Sequence, residues 1–151
     1  LVQFIDVEER EIKITGRIKQ FLSLCGEHLS LDNINTAIQQ VCKSKGIEIP
    51  EFCLYADNQN QRHNWFVGTP DNIDNELILK QIDDALMSLN DDYASVRKYT
   101  LNRPHLKVLP VSSFYHFMDA IGKSGSQNKF PRVMNDHQAN QWEQFLKVNV
   151  L

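Results

Sequence analysis

One segment of the chain combines residue types that suit the delivery of a positive charge. In residues 122–132, small and polar residues surround Lys129, and the segment ends in Pro131 and Arg132. A lysine on a loop of small residues can be moved to an anion and withdrawn afterwards. Such a composition is equally typical of an ordinary solvated loop, so the residues alone leave both interpretations open.

A second candidate lies near the start of the chain, in residues 14–30. Gly16 and Arg17 form a predicted turn between two strands, and Lys19 follows two residues later. A guanidinium fork binds phosphate or carboxylate oxygens in pairs, whereas an ammonium binds them as a point charge. Charged turn residues are also common on ordinary surfaces, and this alternative stays open as well.

Complete catalytic and cofactor-binding motifs are missing from the sequence. It contains no Gly-x-x-x-x-Gly-Lys-Ser/Thr loop, no Gly-x-Gly-x-x-Gly turn, no Gly-x-Ser-x-Gly elbow and no His-Glu-x-x-His helix. The five histidines fall in separate predicted elements, and the three cysteines lack Cys-x-x-Cys spacing. We therefore expect no metal site, no disulfide framework and no complete catalyst in this chain alone.

Length and composition are typical of one folded domain. The 151 residues are 42% hydrophobic and 23% charged, close to the globular average, and we expect a single domain over residues 1–151. The net charge of −3 offers no positive field to nucleic acid. No apolar run approaches the roughly 20 residues that cross a bilayer, so we expect no membrane partner and a cytoplasmic location. Because the sequence starts with Leu1 instead of methionine and a strand pattern begins at once with Val2, we also expect a fragment of a longer chain.

The elements that must position the two segments follow from hydrophobic periodicity. Alternating apolar residues predict hairpins over 2–14 and 52–67, a short strand over 19–24 and a last strand near 106–111. Helical spacing predicts five helices. The first is capped by Ser30 and ended by Gly46, the second and third span 71–90 and 91–100, the fourth is capped by Ser112 or Ser113, and the last starts near Asp136.

The order of these elements favours an α+β fold. Strands and helices interleave irregularly, which is typical of a small mixed β-sheet with helices packed on it, here two hairpins plus one or two further strands. In the second helix we expect the apolar positions to face inward, namely Ile73, Leu77, Ile82, Leu86 and Leu89.

Both candidate segments resemble the C-terminal domain of the Gretchen Hagen acyl-acid amido synthetases, the auxin-responsive promoter family, in its bacterial branch. That domain opens with a Gly-Arg hinge, a strand rich in Phe, Leu and Ser, and a Gly-Glu-x-Leu stretch, matched here by Gly16-Arg17, Phe21-Leu22-Ser23 and Gly26-Glu27-His28-Leu29. Near its end the family has a Phe-rich helix, a small-residue loop and Lys-x-Pro-Arg, matched by 114–121, 125–128 and Lys129-Phe130-Pro131-Arg132. The family is similar to the adenylate-forming acyl-CoA synthetases and luciferases.

This resemblance implies a two-step ligase that uses ATP with Mg²⁺. A carboxylic acid is first adenylated, and an amine, usually of an amino acid, then displaces AMP. The nucleotide loop and the acyl pocket of such enzymes belong to a large N-terminal domain of the same chain, which is the implied partner and lies outside these 151 residues. The C-terminal domain closes over the site and rotates between the two half-reactions.

The resemblance also assigns roles to the candidate residues. Lys129 is the candidate catalytic cation, supported by Pro131, which restricts the backbone, and Arg132, which fixes the loop by pairing. Glu27 and His28 could line the cleft without taking part in chemistry. The hinge is expected near residues 14–19, and the candidates for hinge or nucleotide contacts are Arg17, Lys19 and Gly16.

Two other classes of function stay open. A stand-alone small-molecule-sensing module would dimerise and bind a metabolite without a second domain. A protein-interaction module would need an exposed apolar patch, for which Trp65, Phe66 and Trp142 are the residues to examine, although such residues are more often core. The synthetase interpretation differs from both, because it predicts a monomer that binds ATP weakly or not at all and catalyses nothing alone.

Overall fold

The computed structural model of the protein describes residues 2–6, 11–14, 21–123, 125 and 128–149. Within these ranges the chain forms seven strands and five helices. The strands are β1 (Val2–Asp6), β2 (Glu11–Ile14), β3 (Phe21–Leu22), β4 (Leu29–Ser30), β5 (Glu51–Asp57), β6 (Arg62–Gly68) and β7 (His105–Leu109). The helices are α1 (Leu31–Lys45), α2 (Asn75–Leu89), α3 (Asp91–Tyr99), α4 (Val111–Ala120) and α5 (Asp136–Asn149).

A mixed three-stranded sheet with the order β5-β6-β7 organises the domain. β5 and β6 form an antiparallel hairpin, in register from Glu51↔Gly68 to Asp57↔Arg62. β7 runs parallel to β6, and a parallel neighbour needs a crossover connection, which α2 and α3 provide. The predicted α+β fold with a small mixed sheet is confirmed.

The core lies on both faces of this sheet, because successive strand residues point to opposite sides. On one face Leu54, Trp65 and Leu106 join the buried residues of α1, α2 and Tyr93. On the other face Cys53 and Phe66 join those of α4 and α5. Trp65, Phe66 and Trp142 are all buried in these clusters, so they do not form the exposed apolar patch that a protein-interaction module would need.

Two smaller hairpins precede the central sheet. β1 and β2 pair antiparallel from Val2↔Ile14, with an irregularity in register between Phe4 and Asp6. β3 pairs with β4 through Phe21↔Ser30 and Leu22↔Leu29. The predicted first hairpin is therefore confirmed. Of the short strand expected over 19–24, residues 19 and 20 lie outside the described residues, and Phe21–Leu22 form β3.

The ends of α1 were predicted correctly, and local side-chain chemistry explains why. Ser30 Oγ accepts a hydrogen bond from the Asn33 N–H at 3.1 Å, and the Asn33 side chain accepts one from the Ser30 N–H at 3.2 Å. This reciprocal pair satisfies two otherwise unpaired N–H groups of the first turn. Gly46 ends the helix with φ of 65°, a left-handed conformation that favours glycine.

Two other helix starts were predicted wrongly. α2 begins at Asn75 rather than near Asp71, because the Asp74 side chain accepts from the first-turn N–H groups, whereas Asp71 Oδ2 accepts from Glu48 N–H at 2.7 Å. Leu77 is exposed instead of buried. α4 begins at Val111 after Pro110, without a side-chain cap, so neither Ser112 nor Ser113 has the expected capping role.

In the described part of the chain, no helix combines the length and the apolar character that crossing a membrane requires.

Candidate functional site

The loop that carries Lys129 follows the C-terminal end of α4, which backbone hydrogen bonds hold in place. Gly122 has φ of 69°, and its N–H donates to the Asp119 carbonyl at 3.0 Å, while the Lys123 N–H donates to the Met118 carbonyl at 2.8 Å. The left-handed glycine turns the chain away from α4 at little steric cost. Lys123 thus has a defined backbone position at the end of α4, and its side chain is exposed.

The segment that follows Lys129 is held by the core. Phe130 is buried, with its ring centroid 4.9 Å from that of Phe114 and 5.3 Å from that of Trp142. Further on, the Leu54 N–H donates to the Arg132 carbonyl and the Leu54 carbonyl accepts from Met134, both at 2.9 Å. A short parallel bridge is thereby added to the outer edge of β5. Lys129 is exposed and lies immediately before this anchored segment.

Arg132 is bound by the domain's own groups. Its Nη1 lies 2.9 Å from Glu51 Oε2, and its guanidinium donates to the carbonyls of Phe52 and Pro50 at 3.0 and 3.2 Å. Its Cζ also lies 4.5 Å from the centroid of the Phe52 ring, a distance at which a cation is attracted to an aromatic face. The structure therefore places this cation on β5, in contact with the strand rather than free for a ligand.

A small pocket lies beside this loop and contains both of its lysines. It has a volume of about 100 Å³ and is lined by Lys123 and Lys129, by apolar side chains of α4 and by two glutamines of α5. Pro131 contributes to the wall. The structure thus brings together Lys129, Pro131 and a further cation, Lys123, which no sequence motif singles out.

A second pocket lies between the segment of residues 14–30 and the residues that follow the Lys129 segment. Its volume is about 260 Å³, and its lining includes Phe21 and Ser23 of the β3 region as well as Val133 and Asn135 from the segment after Lys129. Residues more than 100 positions apart therefore share one cleft. The structure does not describe residues 15–20. The predictions for Gly16, Arg17 and Lys19 therefore lie outside the described residues, as does the expected hinge over 14–19 apart from Ile14.

Glu27 does not line an open cleft, contrary to expectation, because it is fully buried. Its Oε1 lies 2.7 Å from His63 Nε2 and accepts from Leu24 N–H at 2.8 Å, and its Oε2 accepts from Cys25 N–H at 2.7 Å. Burial opposes the charged form, but these bonds outweigh it and lower the pKa of Glu27 from 4.5 to about 2. An ionised carboxylate has no proton to donate, so His63 Nε2 carries the hydrogen.

A second buried polar cluster lies next to this pair. The Tyr93 ring stacks on His63 with centroids 5.7 Å apart, and its hydroxyl donates to Asp83 Oδ1 at 2.6 Å. Arg97 donates to the same carboxylate, from Nε to Asp83 Oδ1 at 2.9 Å and from Nη2 to Asp83 Oδ2 at 2.7 Å. Burial and the Asp83 charge raise the pKa of Tyr93 far above its ordinary value. The cluster holds α2 and α3 against β6, and no sequence pattern predicts it because its members lie on three elements.

The described residues do not offer a metal site. They contain no group of three His, Cys, Asp or Glu side chains close enough to hold an ion.

Comparisons with known proteins give one family and one fold. A sequence model of the GH3 family C-terminal domain matches residues 32–138. Among solved structures, the chain is similar to "GH3.15 acyl acid amido synthetase", with a TM-score of 0.68 and 17% identity over 91% of this chain and 26% of that one. It is also similar to "AtGH3.15 acyl acid amido synthetase in complex with 2,4-DB", with a TM-score of 0.65 and 18% identity over 88% of this chain and 26% of that one.

The comparison with curated protein sequences gives no match. The chain spans about a quarter of the length of the two synthetases, and identities of 17% and 18% establish a shared fold only. The family model, however, covers well over half of the chain and includes Lys129, Pro131 and Arg132. The protein is thus a member of the GH3 family and corresponds to the C-terminal domain of that family.

Proposed function

We propose that this chain is the closing C-terminal domain of an ATP-dependent acyl-acid amido synthetase. The observation that carries the proposal is the position of Lys129. It lies within the family match, is exposed, and is followed directly by a segment that the aromatic core and β5 hold in place. An exposed cation on an anchored backbone can be brought to a site on another domain without losing its orientation.

The reaction that we assign to the whole enzyme has two steps. In the first, an oxygen of the carboxylate attacks the α-phosphorus of ATP, the acyl-adenylate forms and pyrophosphate leaves. In the second, an amine nitrogen attacks the acyl carbon, AMP leaves, and the amine loses a proton. Adenylation gathers negative charge where carboxylate and phosphate meet, so a cation that arrives only on closure stabilises the transition state more than the ground state. Lys129 is our candidate for that cation.

The second candidate segment fits a hinge in this proposal. Gly16, Arg17 and Lys19 precede β3, and β3 shares a pocket with the residues that follow Lys129. A rotation near residues 14–19 would therefore move the Lys129 segment together with the body of the domain. We propose that Arg17 or Lys19 contacts a nucleotide oxygen or a carboxylate of the large N-terminal domain.

Mg²⁺ is not assigned to this domain. The described residues supply no cluster of ligands for it, and Mg²⁺ that accompanies ATP is commonly held by phosphates and one or two carboxylates. We likewise propose that the domain alone is a monomer with no activity, since half of a site lacks its partner groups.

The experiment requires the parent enzyme with its upstream domain. Acid-dependent release of pyrophosphate from ATP is measured with 2,4-DB as the first probe acid, because that compound is named with one of the similar synthetases, followed by a panel of other carboxylic acids. Lys129→Ala is compared with Lys147→Ala, an exposed lysine on α5 that does not line the pocket. We expect Lys129→Ala to lower the rate on the order of a hundredfold and Lys147→Ala to leave it unchanged. If both variants match the parent, the proposed role of Lys129 is wrong.

A further inference from the structure

The pocket beside the Lys129 loop has the composition of an anion site. Lys123 enters from the end of α4 and Lys129 from the far end of the loop, so two cations from different backbone positions line one cavity. Gln138 and Gln141 of α5 line it as well, and each glutamine amide has two N–H donors. The pocket is therefore rich in groups that can donate to oxygen.

The charge of the pocket is one-sided in the described part of the chain. None of its lining residues carries a carboxylate, and neither lysine forms a salt bridge with any other described residue, whereas Lys80 does so with Asp84. The remaining wall is apolar, made of Phe117, Met118, Ile121 and Pro131. An apolar wall lowers the local dielectric constant, which strengthens the attraction between a cation and an anion held against it.

The size of the pocket limits what it can hold. Its volume of about 100 Å³ is several times the roughly 10–15 Å³ of cavity space that a single water molecule needs. This space admits one compact group such as a phosphoryl group. The polar contacts then come from the two lysines and the glutamines.

We infer that Lys123 and Lys129 together bind one phosphoryl group in this pocket, so that Lys123 is a second substrate-binding cation of the domain. A phosphoryl group of ATP or pyrophosphate carries one or two negative charges and two or three non-bridging oxygens, which two ammonium groups can share. The origin of that group rests on the proposed function: it belongs either to ATP during adenylation or to the released pyrophosphate. The presence of the site does not depend on that function.

The first experiment is a binding titration on the 151-residue chain. Sodium pyrophosphate and sodium phosphate are added at constant ionic strength, and binding is followed by the chemical shifts of backbone amides; sodium acetate and sodium chloride serve as the other anions. We expect millimolar affinity for the phosphates, shifts around residues 121–123, 129–131 and 138–141, and no saturable effect of acetate or chloride. Lys123→Gln should weaken binding about three- to tenfold, Lys123→Arg should restore it, and Lys147→Gln should leave it unchanged.

Three results of the titration would overturn the inference. Phosphates could fail to bind, Lys123→Gln could bind them as tightly as the unmodified chain, or Lys147→Gln could weaken binding as much as Lys123→Gln, which would show a general charge effect. Because Lys123 is exposed, these substitutions should not unfold the domain, and the amide spectrum of each variant checks this directly.

The second experiment distinguishes ATP from released pyrophosphate as the source of the phosphoryl group. It also tests this inference independently of the proposed function. In the parent enzyme, Lys123→Gln should raise the KM for ATP if the group belongs to ATP, or weaken inhibition by added pyrophosphate if the group is the product. A different outcome is that Lys123→Gln changes neither the KM for ATP nor the inhibition by pyrophosphate, while Lys129→Ala abolishes adenylation. That result would support the proposed function and would show that the role inferred for Lys123 is wrong. If the chain binds phosphates through both lysines but no acid supports pyrophosphate release, the site stands and the proposed function fails.

Discussion

Replacing Glu27 by glutamine tests how strongly a buried carboxylate holds the β3–β4 hairpin to the core. Glutamine keeps the shape of the side chain but replaces one oxygen with an NH₂ group. The carboxylate accepts from Leu24, Cys25 and His63, so in Glu27→Gln at least one buried donor faces another donor. A buried donor without an acceptor costs about 1–3 kcal/mol.

The pKa shift gives a second measure of the same interactions. A decrease in the pKa of Glu27 from 4.5 to about 2 corresponds to stabilisation on the order of 3 kcal/mol at neutral pH, at about 1.4 kcal/mol per unit. We therefore expect Glu27→Gln to lower the free energy of unfolding by about 2–4 kcal/mol. Because the folded-state pKa is the lower one, this stabilisation is complete above about pH 4.5 and is lost as the pH falls towards about 2.

Urea denaturation of the 151-residue chain, followed by tryptophan fluorescence between pH 4 and pH 8, measures this effect. The difference in the free energy of unfolding between the unmodified chain and Glu27→Gln should be constant above pH 5 and should become smaller below pH 4.5. Glu48→Gln is the matched control, since the Glu48 side chain is exposed, and it should change stability by less than about 0.5 kcal/mol. If Glu27→Gln were as stable as this control at pH 7, the reasoning from burial and hydrogen bonding would be refuted.

Two further predictions concern the second face of the sheet. Phe130→Ala removes a buried ring that contacts Phe114 and Trp142. In urea denaturation it should lower the free energy of unfolding by about 3 kcal/mol. An unchanged midpoint of urea unfolding would mean that this ring does not anchor the Lys129 segment. Cys53 is fully buried, and burial raises the pKa of its thiol well above the ordinary value. At pH 8 it should therefore react with a thiol reagent far more slowly in the folded protein than in urea, with the modified residue identified by peptide mass. Labelling of the folded protein as fast as in urea would contradict the packing of this face.

The fold could be predicted where local chemistry decides the outcome. α1 has both of its signals in the sequence, a Ser30 cap and a Gly46 stop, and both were found in place. The start of α2 could not be predicted in the same way, because Asp71 and Asp74 are equally good capping residues in sequence. The choice depends on Glu48, which is distant in sequence and whose N–H binds the Asp71 carboxylate.

The site was predictable only in part, for a similar reason. The sequence indicated Lys129 through its loop and its family resemblance, and the GH3 family is confirmed, whereas the bacterial branch and the cytoplasmic location stay predictions. The pocket that adds Lys123 depends on how α4 and α5 pack beside the loop, and no spacing in the sequence reports that. The buried bond between Glu27 and His63 likewise joins residues 36 positions apart, and a charged residue in a Gly-Glu-His-Leu stretch is more often expected at the surface.

The most direct test of the closing role of Lys129 is to measure the two half-reactions of the parent enzyme separately. Pyrophosphate release reports adenylation, and the conversion of supplied acyl-adenylate to amide reports the second step. If Lys129 is delivered to the nucleotide for adenylation, Lys129→Ala lowers the first rate on the order of a hundredfold and leaves the second within about threefold. Equal losses in both steps, or no loss in the first, would contradict this account.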